Sequence, residues 1–490
     1  MTTILLIVGA LFWLIRIGLN IISYVTLWYV KEYRPDRMMI HLKKTTQGKW
    51  IYFPKWKLPP LSTKTATLTV TLFLTEFLLF IFLPYQLFVK LFVMDLTLFP
   101  LSFLFVVLLR IPTKLFHTYT ITKARNVLSK HSWKSVIGIT GSYGKTSTKD
   151  FVSTILSGAY SVLKTEASKN SSIGISETVL ATLRDTHQMF VVEMGAYGVG
   201  EIKEMTELVR PNIGIITAIN AQHQDLFGSI ETTMKAKYEL LQGLVGDKIA
   251  IVNEDIAETY LMGQWAMKEG VHVWFVTKNK KLHADAAFWI DEVSSDTDSV
   301  TFLFHYKKEK EKIIVSISGE HFVMNIALAI AAAVASGLSF HDACTYARRI
   351  SALGTVMRLQ IGTKGETLIN DTFNNNPEAA IAGLEHLAKF PKKKVLVFQP
   401  MIELGAFTNV SHERVGKVAG RICDEIVLTN ANFSKPFIKG VHEVNPHIQV
   451  QIASAEKASQ YIQHTVSAGD AVLFKGKEAE FVWKHMVVKK

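Results

Sequence analysis

The stretch Val136-Ile-Gly-Ile-Thr-Gly-Ser-Tyr-Gly-Lys-Thr-Ser-Thr-Lys149 decides the fold of the central part of this chain. Its β-branched first residues predict a buried parallel strand, and a helical pattern begins at Thr146 and continues to Leu156. The glycine-containing turn between them lets backbone N–H groups converge on phosphate oxygens, and the helix N-terminus adds partial positive charge. The stretch therefore predicts a nucleotide-binding loop.

Individual residues of this loop have predictable roles. Lys145 is expected to reach the terminal phosphates, and the Thr146 hydroxyl is a natural ligand for a magnesium ion. The generic GxxxxGK[ST] pattern requires glycine at position 139, which is isoleucine here, so the generic match is incomplete. The strand and the helix around the turn still favour nucleotide binding. The predicted cofactor-binding residues of the loop are Gly141, Ser142, Gly144, Lys145, Thr146 and Ser147.

The positive charge of the chain is concentrated in two short segments. The formal net charge is +12, of which residues 31–64 contribute +7 and residues 111–135 contribute +5. Both segments border apolar stretches, which indicates juxtamembrane positions and argues against a nucleic-acid-binding face. Cys344 and Cys423 form no CxxC pair and no metal-ligand cluster, which favours a reducing compartment.

The first third of the chain carries the apolar sequence. Residues 4–30 contain Arg16 as their single charge and are long enough to cross a bilayer. A second apolar block, 65–110, is too long for one crossing and predicts a hairpin of two helices, with a re-entrant or interfacial element as the alternative. Arg16 is expected to snorkel, to pair within the membrane or to mark a functional site.

Loops rich in Lys and Arg stay on the cytoplasmic side of a membrane. The sequence therefore predicts about three transmembrane helices, at about 4–30, 66–88 and 91–110, with the N-terminus outside. The predicted location is the inner (cytoplasmic) membrane, multi-pass, with the catalytic domains in the cytoplasm. This region is either a plain anchor or also holds a membrane-bound substrate.

The remaining sequence predicts an α/β fold of two domains, so that the three predicted domains are 1–134, 135–353 and 354–490. Strand-like runs alternating with amphipathic stretches predict a mostly parallel sheet, followed by a small doubly wound domain. Two further runs predict an added antiparallel hairpin, 300–305 and 313–316, with the charged residues 307–312 as its solvated turn. The predicted strands are 136–140, 190–193, 213–217 and 249–252 in the first domain, and 367–370, 394–398, 425–428, 448–452 and 471–474 in the second.

Three polar residues of the first α/β domain are candidates for chemistry. Glu193 ends a strand beside the phosphate loop, where a carboxylate is a natural magnesium ligand. His223 follows the strand 213–217, and taken alone it is more often a structural histidine. Lys237, taken alone, is more often a solvated lysine on a helix.

The order of motifs resembles the Mur ligase family of ATP-dependent amide-bond ligases. The resemblance extends from about residue 135 to 487 and is strongest to the members that add D-alanyl-D-alanine. The matching stretches begin with Gly141–Thr148, which resembles the GTxGKT phosphate loop, and Glu193-Met-Gly-Ala196, which resembles EMGA. The other stretches that carry the resemblance are 165–174, 210–211, 221–229, 236–240, 319–325, 358, 370–377, 403–405, 412 and 475–476.

The resemblance implies a Mur ligase central P-loop ATPase domain with a mostly parallel sheet, followed by a Rossmann-like C-terminal domain. It implies ATP and Mg²⁺ as cofactors, with catalytic roles for Lys145, Lys237 and His223. Lys237 stands at the position that family members carbamylate, and the sequence leaves open whether it is modified here. Members transfer the ATP γ-phosphate to a carboxylate, and an amine then attacks the acyl phosphate. The implied metal ligands are Thr146, Glu193, His223 and Lys237, the further nucleotide contacts are Asn325, Arg358 and Asp371, and the substrate contacts are Asn170, Asn374, Asn376, His412 and Lys475.

Several positions depart from the family pattern. The soluble uridine-nucleotide-binding domain is missing, and apolar segments occupy its place. Glu478 stands where the family has an arginine, which puts carboxylate recognition of an incoming dipeptide in doubt. The other departures are Ser168, Ser171, Phe322, Phe373 and Pro400, most of which replace polar residues.

The predicted function is that of a membrane-anchored ligase in peptidoglycan precursor synthesis, similar to the D-alanyl-D-alanine-adding members. Its predicted partners are a UDP-linked or lipid-linked stem peptide, an amino acid or dipeptide, and membrane lipids, without nucleic acid. A polyglutamate-type synthase, a catalytically silent ATP-binding scaffold for wall synthesis and a transport ATPase are the alternatives.

Overall fold

The computed structural model describes residues 2–44, 51–54, 56–166, 169–220, 229–279, 286–351, 357–373, 375–402 and 404–487. The chain forms two compact units, Met1–Tyr119 and Thr120–Lys490. The two units divide between Tyr119 and Thr120, whereas the predicted boundary between the first two domains follows residue 134.

The first unit is helical. Three of its helices contain stretches long and apolar enough to cross a membrane, judged by length and composition: Ile4–Val30, Thr63–Phe82 and Leu87–Leu128. The helices are α1 (Thr2–Val30), α2 (Pro35–Lys44), α3 (Thr63–Phe82) and α4 (Leu87–Leu128).

The apolar block 65–110 folds as the helical hairpin that its length predicts, but the helix ends differ from the predicted spans. The α3 helix ends at Phe82, because Pro84 lacks a backbone N–H and forces Leu83 into an extended conformation. Lys90, placed at the expected break, lies inside α4 and donates from Nζ to the Phe80 carbonyl at 3.0 Å. The α4 helix continues through Pro112 to Leu128, well beyond the predicted end at 110.

Of the three expectations for Arg16, the structure shows pairing. Its Nε lies 2.9 Å from Asp95 Oδ2, and its Nη2 donates to the Tyr52 carbonyl at 2.8 Å. Asn20 donates to the other Asp95 oxygen at 3.0 Å. The opposite charges of Arg16 and Asp95 therefore compensate each other between two of the apolar helices.

The second unit contains two sheets, the first of which has nine strands in the order β2-β3-β1-β4-β5-β6-β7-β8-β9. Strands β1 to β7 are parallel, and β7, β8 and β9 pair antiparallel. The strands are β1 (Ser135–Thr140), β2 (Val162–Lys164), β3 (Met189–Glu193), β4 (Ile213–Ile216), β5 (Ile249–Asn253), β6 (His272–Thr277), β7 (Phe288–Ser295), β8 (Val300–Tyr306) and β9 (Glu309–Val315).

Helices cover both faces of this sheet. The apolar helix α10 packs against α5, and the rings of Phe322 and Phe151 lie edge to face with centroids 6.0 Å apart. The helices are α5 (Lys145–Leu156), α6 (Ser172–Thr182), α7 (Glu201–Val209), α8 (Ile230–Gln242), α9 (Ala257–Lys268), α10 (Phe322–Ala335) and α11 (Phe340–Ala347).

The predicted hairpin is present, but its turn was predicted too long. Only Lys307 and Lys308 separate β8 from β9, and Glu309 already pairs with Tyr306. The alternating charges of the run lie on an exposed edge strand, where charged side chains discourage pairing with other chains. Strands β2, β6 and β7 were not predicted.

The second sheet has six strands in the order β10-β11-β15-β12-β13-β14, all parallel except the edge strand β10. The four exposed or half-exposed residues of β10 gave no apolar run, so this strand was not predicted. The strands are β10 (Arg358–Ile361), β11 (Thr367–Asp371), β12 (Lys394–Phe398), β13 (Glu425–Leu428), β14 (Val450–Ile452) and β15 (Ala471–Lys475). The helices are α12 (Pro377–Leu387), α13 (Thr408–Ile422), α14 (Ser434–Val444), α15 (Ala455–Thr465) and α16 (Lys477–Met486).

Candidate active site

The phosphate loop follows β1, a central strand of the first sheet, and leads into α5. Two of its positions admit only glycine. A Cβ atom on Gly141 would lie 2.0 Å from Thr217 Oγ1, and one on Gly144 would lie 2.8 Å from Asn325 Oδ1. Gly144 also has a φ of +80°, a left-handed conformation that side chains disfavour. The loop is therefore tightly packed against the ends of β4 and α10.

The segment after β4 fixes the conformation of this loop. The Ser142 amide donates to the Ala218 carbonyl at 2.7 Å, and the Asn220 amide donates to Ser142 Oγ at 3.1 Å. Thr217 Oγ1 donates to the Tyr143 carbonyl at 2.5 Å. Thr217 and Asn220 were not predicted as site residues, although their position after a strand adjacent to β1 was a usable signal.

Lys145 lies in the first turn of α5, and its ammonium group bends back over the loop. Nζ donates to the Gly141 carbonyl at 2.7 Å and to the Ser142 carbonyl at 3.2 Å. Burial lowers the pKa of Lys145, and the nearby Glu193 carboxylate acts in the opposite direction. The lysine is held where a phosphate on the loop would meet it.

Glu193 ends β3, directly beside β1, and only 2% of it is exposed. Its Oε1 accepts a hydrogen bond from Asn170 Nδ2 at 3.0 Å. Its Oε2 has no hydrogen-bond partner among the described residues. A buried carboxylate oxygen that accepts no hydrogen bond within the described residues, beside a phosphate loop, fits Mg²⁺, which prefers oxygen ligands. Thr146, half-buried at the start of α5, is the second available oxygen ligand.

A second lysine near Glu193 was missed by the sequence reasoning. Lys149 is 1% exposed, and its Nζ lies 3.8 Å from Glu193 Oε2 and 3.8 Å from Asp150 Oδ1. It follows Lys145 by four residues, a spacing that places both lysines on one helix face. This spacing was the signal that could have identified it.

Lys237 lies in α8 and is buried, with 4% of it exposed. Burial lowers the pKa of Lys237 far below its ordinary range, and the Lys145 ammonium lowers it further, whereas Glu201 acts in the opposite direction. The structure therefore brings Lys237, Lys145 and Glu193 into one electrostatic environment. A neutral amine at Lys237 is the form that can react with carbon dioxide.

The residues predicted in the last domain lie at the carboxyl edge of the second sheet. Asp371 Oδ2 and Lys475 Nζ are 2.5 Å apart, and both side chains are almost completely buried. Arg358, at the start of β10, is exposed and pairs with Asn370 next to Asp371. Asn325 lies against Gly144, in the first sheet's phosphate loop.

His321 precedes α10 and was not predicted as a site residue, although it lies within the stretch 319–325 that carries the family resemblance. Its pKa is lowered to about 3, first by burial and then by the positive charge of Lys475. Its Nδ1 has no hydrogen-bond partner among the described residues. A half-buried ring whose inaccessible Nδ1 lacks a hydrogen-bond partner among the described residues fits a site for a polar planar group such as a nucleobase.

The predicted substrate residues do not form one cluster of free side chains. Asn170 holds Glu193, and Asn376 Oδ1 caps α12 by accepting from the Ala379 amide at 2.8 Å. His412 is buried between the Met401 amide, at 3.0 Å from Nε2, and the Thr408 carbonyl, at 2.6 Å from Nδ1. His223, Asn374, Ser168 and Glu403 lie outside the described residues.

A phosphate loop beside a strand-end carboxylate on a parallel sheet defines a nucleotide-binding domain of the P-loop class. Comparisons with known proteins identify the family. Residues 139–333 match the profile of the Mur ligase middle domain, and residues 357–478 match that of the Mur ligase, glutamate ligase domain. The chain belongs to the Mur ligase family.

Curated relatives of this chain include UDP-N-acetylmuramoyl-tripeptide–D-alanyl-D-alanine ligases. The protein of Bacillus subtilis is 30% identical over 359 residues, which cover 72% of this chain and 76% of the relative. The protein of Synechocystis is 29% identical over 349 residues, which cover 70% and 72%. The protein of Mycobacterium tuberculosis is 30% identical over 299 residues, and this chain spans only 56% of its length.

Solved structures show the same fold. MurF from Acinetobacter baumannii superposes with a TM-score of 0.67 at 24% identity, covering 75% of this chain and 80% of that one. MurF from Thermotoga maritima in complex with ADP superposes with a TM-score of 0.64 at 23% identity, covering 75% and 83%. The predicted fold class and the MurF-like ligase class are confirmed, and ATP is the nucleotide of such ligases.

Proposed function

We propose that this protein joins an amine to the carboxylate of a peptidoglycan stem peptide, with D-alanyl-D-alanine or a similar amine as the second substrate. The observation that carries the proposal is the meeting of Lys145, Glu193 and the buried Lys237 around the phosphate loop. The name of the Bacillus subtilis relative, a tripeptide–D-alanyl-D-alanine ligase, supports the substrate class.

Activation of the carboxylate requires charge stabilisation around a transferring phosphoryl group. ATP with Mg²⁺ supplies that group, and the amine then displaces phosphate from the resulting acyl phosphate to form the amide. Lys145 and the loop amides stabilise the negative charge of the transferring group, which is the main task of the protein in phosphoryl transfer. Glu193 Oε2 and the Thr146 hydroxyl are the oxygens available to hold Mg²⁺.

Lys237 acts in this proposal as a carbamate. Burial lowers the pKa of this amine well below its ordinary value, which favours the neutral form. The neutral amine adds carbon dioxide and releases a proton, which gives a carbamate with carboxylate-like charge. A negative charge at this position would favour the Lys145 ammonium and a second metal ion, which His223 would also contact. The same burial that disfavours the cationic form of the unmodified lysine thus favours its modification.

The last domain completes the nucleotide site. Arg358 is exposed at the carboxyl edge of the second sheet, where doubly wound domains bind ligands. We assign it to phosphate, Asn325 to adenine, and Asp371 to the ribose side of the site. The substrate side of the site is formed by five further residues, either through direct contact with the substrate or by holding the surrounding loops in place. These residues are Asn170, Asn374, Asn376, His412 and Lys475.

The first unit is proposed as a membrane anchor with three spans. Its three long apolar helices and the basic segments beside them support this assignment, with the ligase domains in the cytoplasm. We propose that the acceptor is lipid-linked or presented by a membrane partner, because the chain carries apolar helices at the place of a uridine-nucleotide-binding domain.

The test is amine-dependent phosphate release from ATP by the full-length protein in detergent or lipid. D-alanyl-D-alanine and single amino acids are each offered with UDP-linked and lipid-linked tripeptides. Release that requires both an acceptor and an amine, and that disappears in Lys145→Ala, is the expected result. ATP binding without stimulated release by any pair, in native membrane lipids, would contradict the proposal and favour a scaffold.

The choice of acceptor tests the role of the membrane. If the lipid is necessary, lipid-linked tripeptide is used faster than the UDP-linked form. Equal rates with both forms after complete removal of lipid would contradict the idea of a membrane-held acceptor and leave the first unit as an anchor.

A further inference from the structure

A short hydrogen bond joins the last domain to the phosphate-loop region. Asn220 Nδ2 donates to Glu378 Oε2 at 2.6 Å. Asn220 follows β4 of the first sheet, and Glu378 stands in the first turn of α12, which packs on the second sheet. The bond therefore connects the two sheets of the second unit beside the nucleotide site.

Asn220 also contacts the phosphate loop through its backbone. Its amide donates to Ser142 Oγ at 3.1 Å, and its carbonyl accepts from Ser142 Oγ at 3.4 Å. Ser142 is a loop residue, and its own amide is bonded to Ala218 in the same segment. A shift of the Asn220 side chain is thus transmitted to the loop through two hydrogen bonds.

Glu378 is oriented by a second partner. Arg414 Nη1 in α13 lies 3.4 Å from Glu378 Oε1, so each carboxylate oxygen has its own contact. The Tyr143 hydroxyl of the phosphate loop lies in the same surroundings, since its pKa is raised to about 12 by burial and by the negative charge of Glu378. The surroundings of both loop residues, Ser142 and Tyr143, therefore depend on the position of the Glu378 carboxylate.

The opposite end of α12 provides a comparison. Lys389, just beyond this helix, donates from Nζ to the carbonyl of Ser295 at the end of β7, at 2.6 Å. This is another contact between the last domain and the domain of the first sheet. Eleven residues separate Lys389 from Glu378, about 16 Å along a helix. This contact joins the same two parts of the chain but lies away from the phosphate loop.

We propose that Glu378 is a positioning residue that couples the seating of the last domain to the geometry of the phosphate loop through Asn220 and Ser142. The hydrogen bonds of the Glu378 side chain within the described residues go to Asn220 and Arg414, so its link to Ser142 of the phosphate loop is indirect. The proposal rests on the proposed ligase function for its kinetic readout, and it adds a residue and a route of coupling to that function. Its expected effect is on the rate of phosphoryl transfer, because a loop displaced by a fraction of an ångström still binds ATP but misplaces the transferring group.

A purely structural role has to be separated from positioning. Glu378 also lies in the first turn of α12, where a carboxylate interacts favourably with the helix dipole. Replacing it could therefore weaken the helix without any effect on coupling. Asn220→Ala breaks the same bond from the other side and leaves α12 untouched. Glu378→Gln keeps an oxygen acceptor for Asn220 but removes the ion pair with Arg414.

The experiment measures kcat, KM for ATP and thermal midpoint for the full-length protein. Glu378→Ala and Asn220→Ala are each expected to lower kcat at least tenfold, with KM for ATP changed less than threefold. The double variant should be no slower than the slower single variant, because both remove one bond. Glu378→Gln should recover most of the rate, and the control Lys389→Ala should keep the wild-type rate. Additive losses, or losses that follow the thermal midpoint and appear equally in Lys389→Ala, would overturn the proposal.

A second measurement does not depend on ligase activity. Amide hydrogen exchange of the phosphate loop is compared in wild-type, Asn220→Ala and Glu378→Ala proteins with a non-hydrolysable ATP analogue bound. Faster exchange at residues 141–146 in both variants, and not in Lys389→Ala, supports the coupling even if no amine substrate stimulates phosphate release. Unchanged exchange in both variants refutes it, whatever the outcome of the activity test.

Discussion

The Asp371 carboxylate and the Lys475 ammonium form an ion pair of 2.5 Å in the interior of the last domain. The resemblance to the family assigned these residues to the ribose and to the second substrate, respectively. In the structure each binds the other, and Lys475 also donates to the Ala379 carbonyl at 3.2 Å. Burial raises the pKa of Asp371, and the neighbouring lysine acts in the opposite direction. The pair joins β11, β15 and the start of α12 at the carboxyl edge of the sheet.

Removing one member of this pair is expected to destabilise the protein strongly. Lys475→Met leaves Asp371 as an uncompensated buried charge, which costs about 3–5 kcal/mol in comparable cases. Asp371→Leu combined with Lys475→Met should recover much of the loss, because neither charge remains. Urea unfolding of the full chain in detergent measures this. The exposed pair Lys484–Glu480 is the control, and Lys484→Met should change stability by less than about 1 kcal/mol. A smaller loss for Lys475→Met than for this control would contradict the interpretation.

Replacing the phosphate-loop lysine should abolish turnover and leave the fold intact. Lys145→Ala removes the cation that faces the transferring phosphate, and we expect a loss of at least about 100-fold in kcat. Because the hydrogen bonds of Nζ within the described part of the chain go to two loop carbonyls, the thermal midpoint should move little. The exposed lysine at the end of α9 is the control, and Lys268→Ala should keep full activity. Near-normal turnover by Lys145→Ala would remove this lysine from the mechanism.

Lys237 should carry a carbamate that can be observed without any substrate. With ¹³C-labelled bicarbonate, the protein should show a carbamate carbon signal that Lys237→Ala lacks. The signal should be lost on acidification, since protons compete with carbon dioxide for the amine. Lys235, exposed two residues earlier in the same helix, is the matched control, and Lys235→Ala should retain the signal. A signal that is unchanged in Lys237→Ala comes from another amine and would contradict the assignment.

The buried His386 should make the protein sensitive to acid. Burial lowers the pKa of this imidazole from 6.5 to about 4, with Lys389 adding to the effect, and neither ring nitrogen has a hydrogen-bond partner among the described residues. The unfolded chain therefore binds a proton that the folded chain excludes, so stability falls as the pH drops from 6.5 towards 4. At pH 5 the loss is about 2 kcal/mol.

His386→Leu should remove this part of the acid sensitivity. Thermal midpoints between pH 7.5 and 5 are compared with those of His447→Leu, a substitution at an exposed histidine. The slope against pH should become shallower in His386→Leu alone, with His321 responsible for a remaining part, since burial lowers its pKa to about 3. Parallel curves for all three proteins would contradict the assignment.

The predicted membrane topology can be mapped with introduced cysteines. Both natural cysteines are buried, so the labelling background is low. Tyr85→Cys, between α3 and α4, should react with an impermeant maleimide added outside intact cells. Ser129→Cys, after α4, should react only after the membrane is broken. Labelling of both from outside, or of neither, would contradict three spans with cytoplasmic catalytic domains.

The local sequence determined the phosphate loop, the strand and helix around it, and the alternation that gives two parallel sheets. Glycine spacing and apolar runs are short-range signals, so they could be read without knowing the partners of each residue. Glu193 was predicted correctly as a strand-end carboxylate next to the loop for the same reason. The apolar helices of the first unit were equally visible in composition alone.

Tertiary structure decided which polar residues face one another. The short strand β2 and the exposed edge strand β10 gave weak local patterns, because much of their stability comes from neighbouring strands. Strands β6 and β7 carry β-branched and aromatic residues, so their sequences were usable signals that the prediction did not include. The Asp371–Lys475 pair spans 104 residues and the Asn220–Glu378 bond spans 158, separations over which no local pattern operates. The pKa of Lys237 likewise depends on burial and on Lys145 across the sheet. The sequence by itself thus determined what kind of site this protein has, whereas the fold decided which charges share it, because electrostatic interactions depend on distance in space.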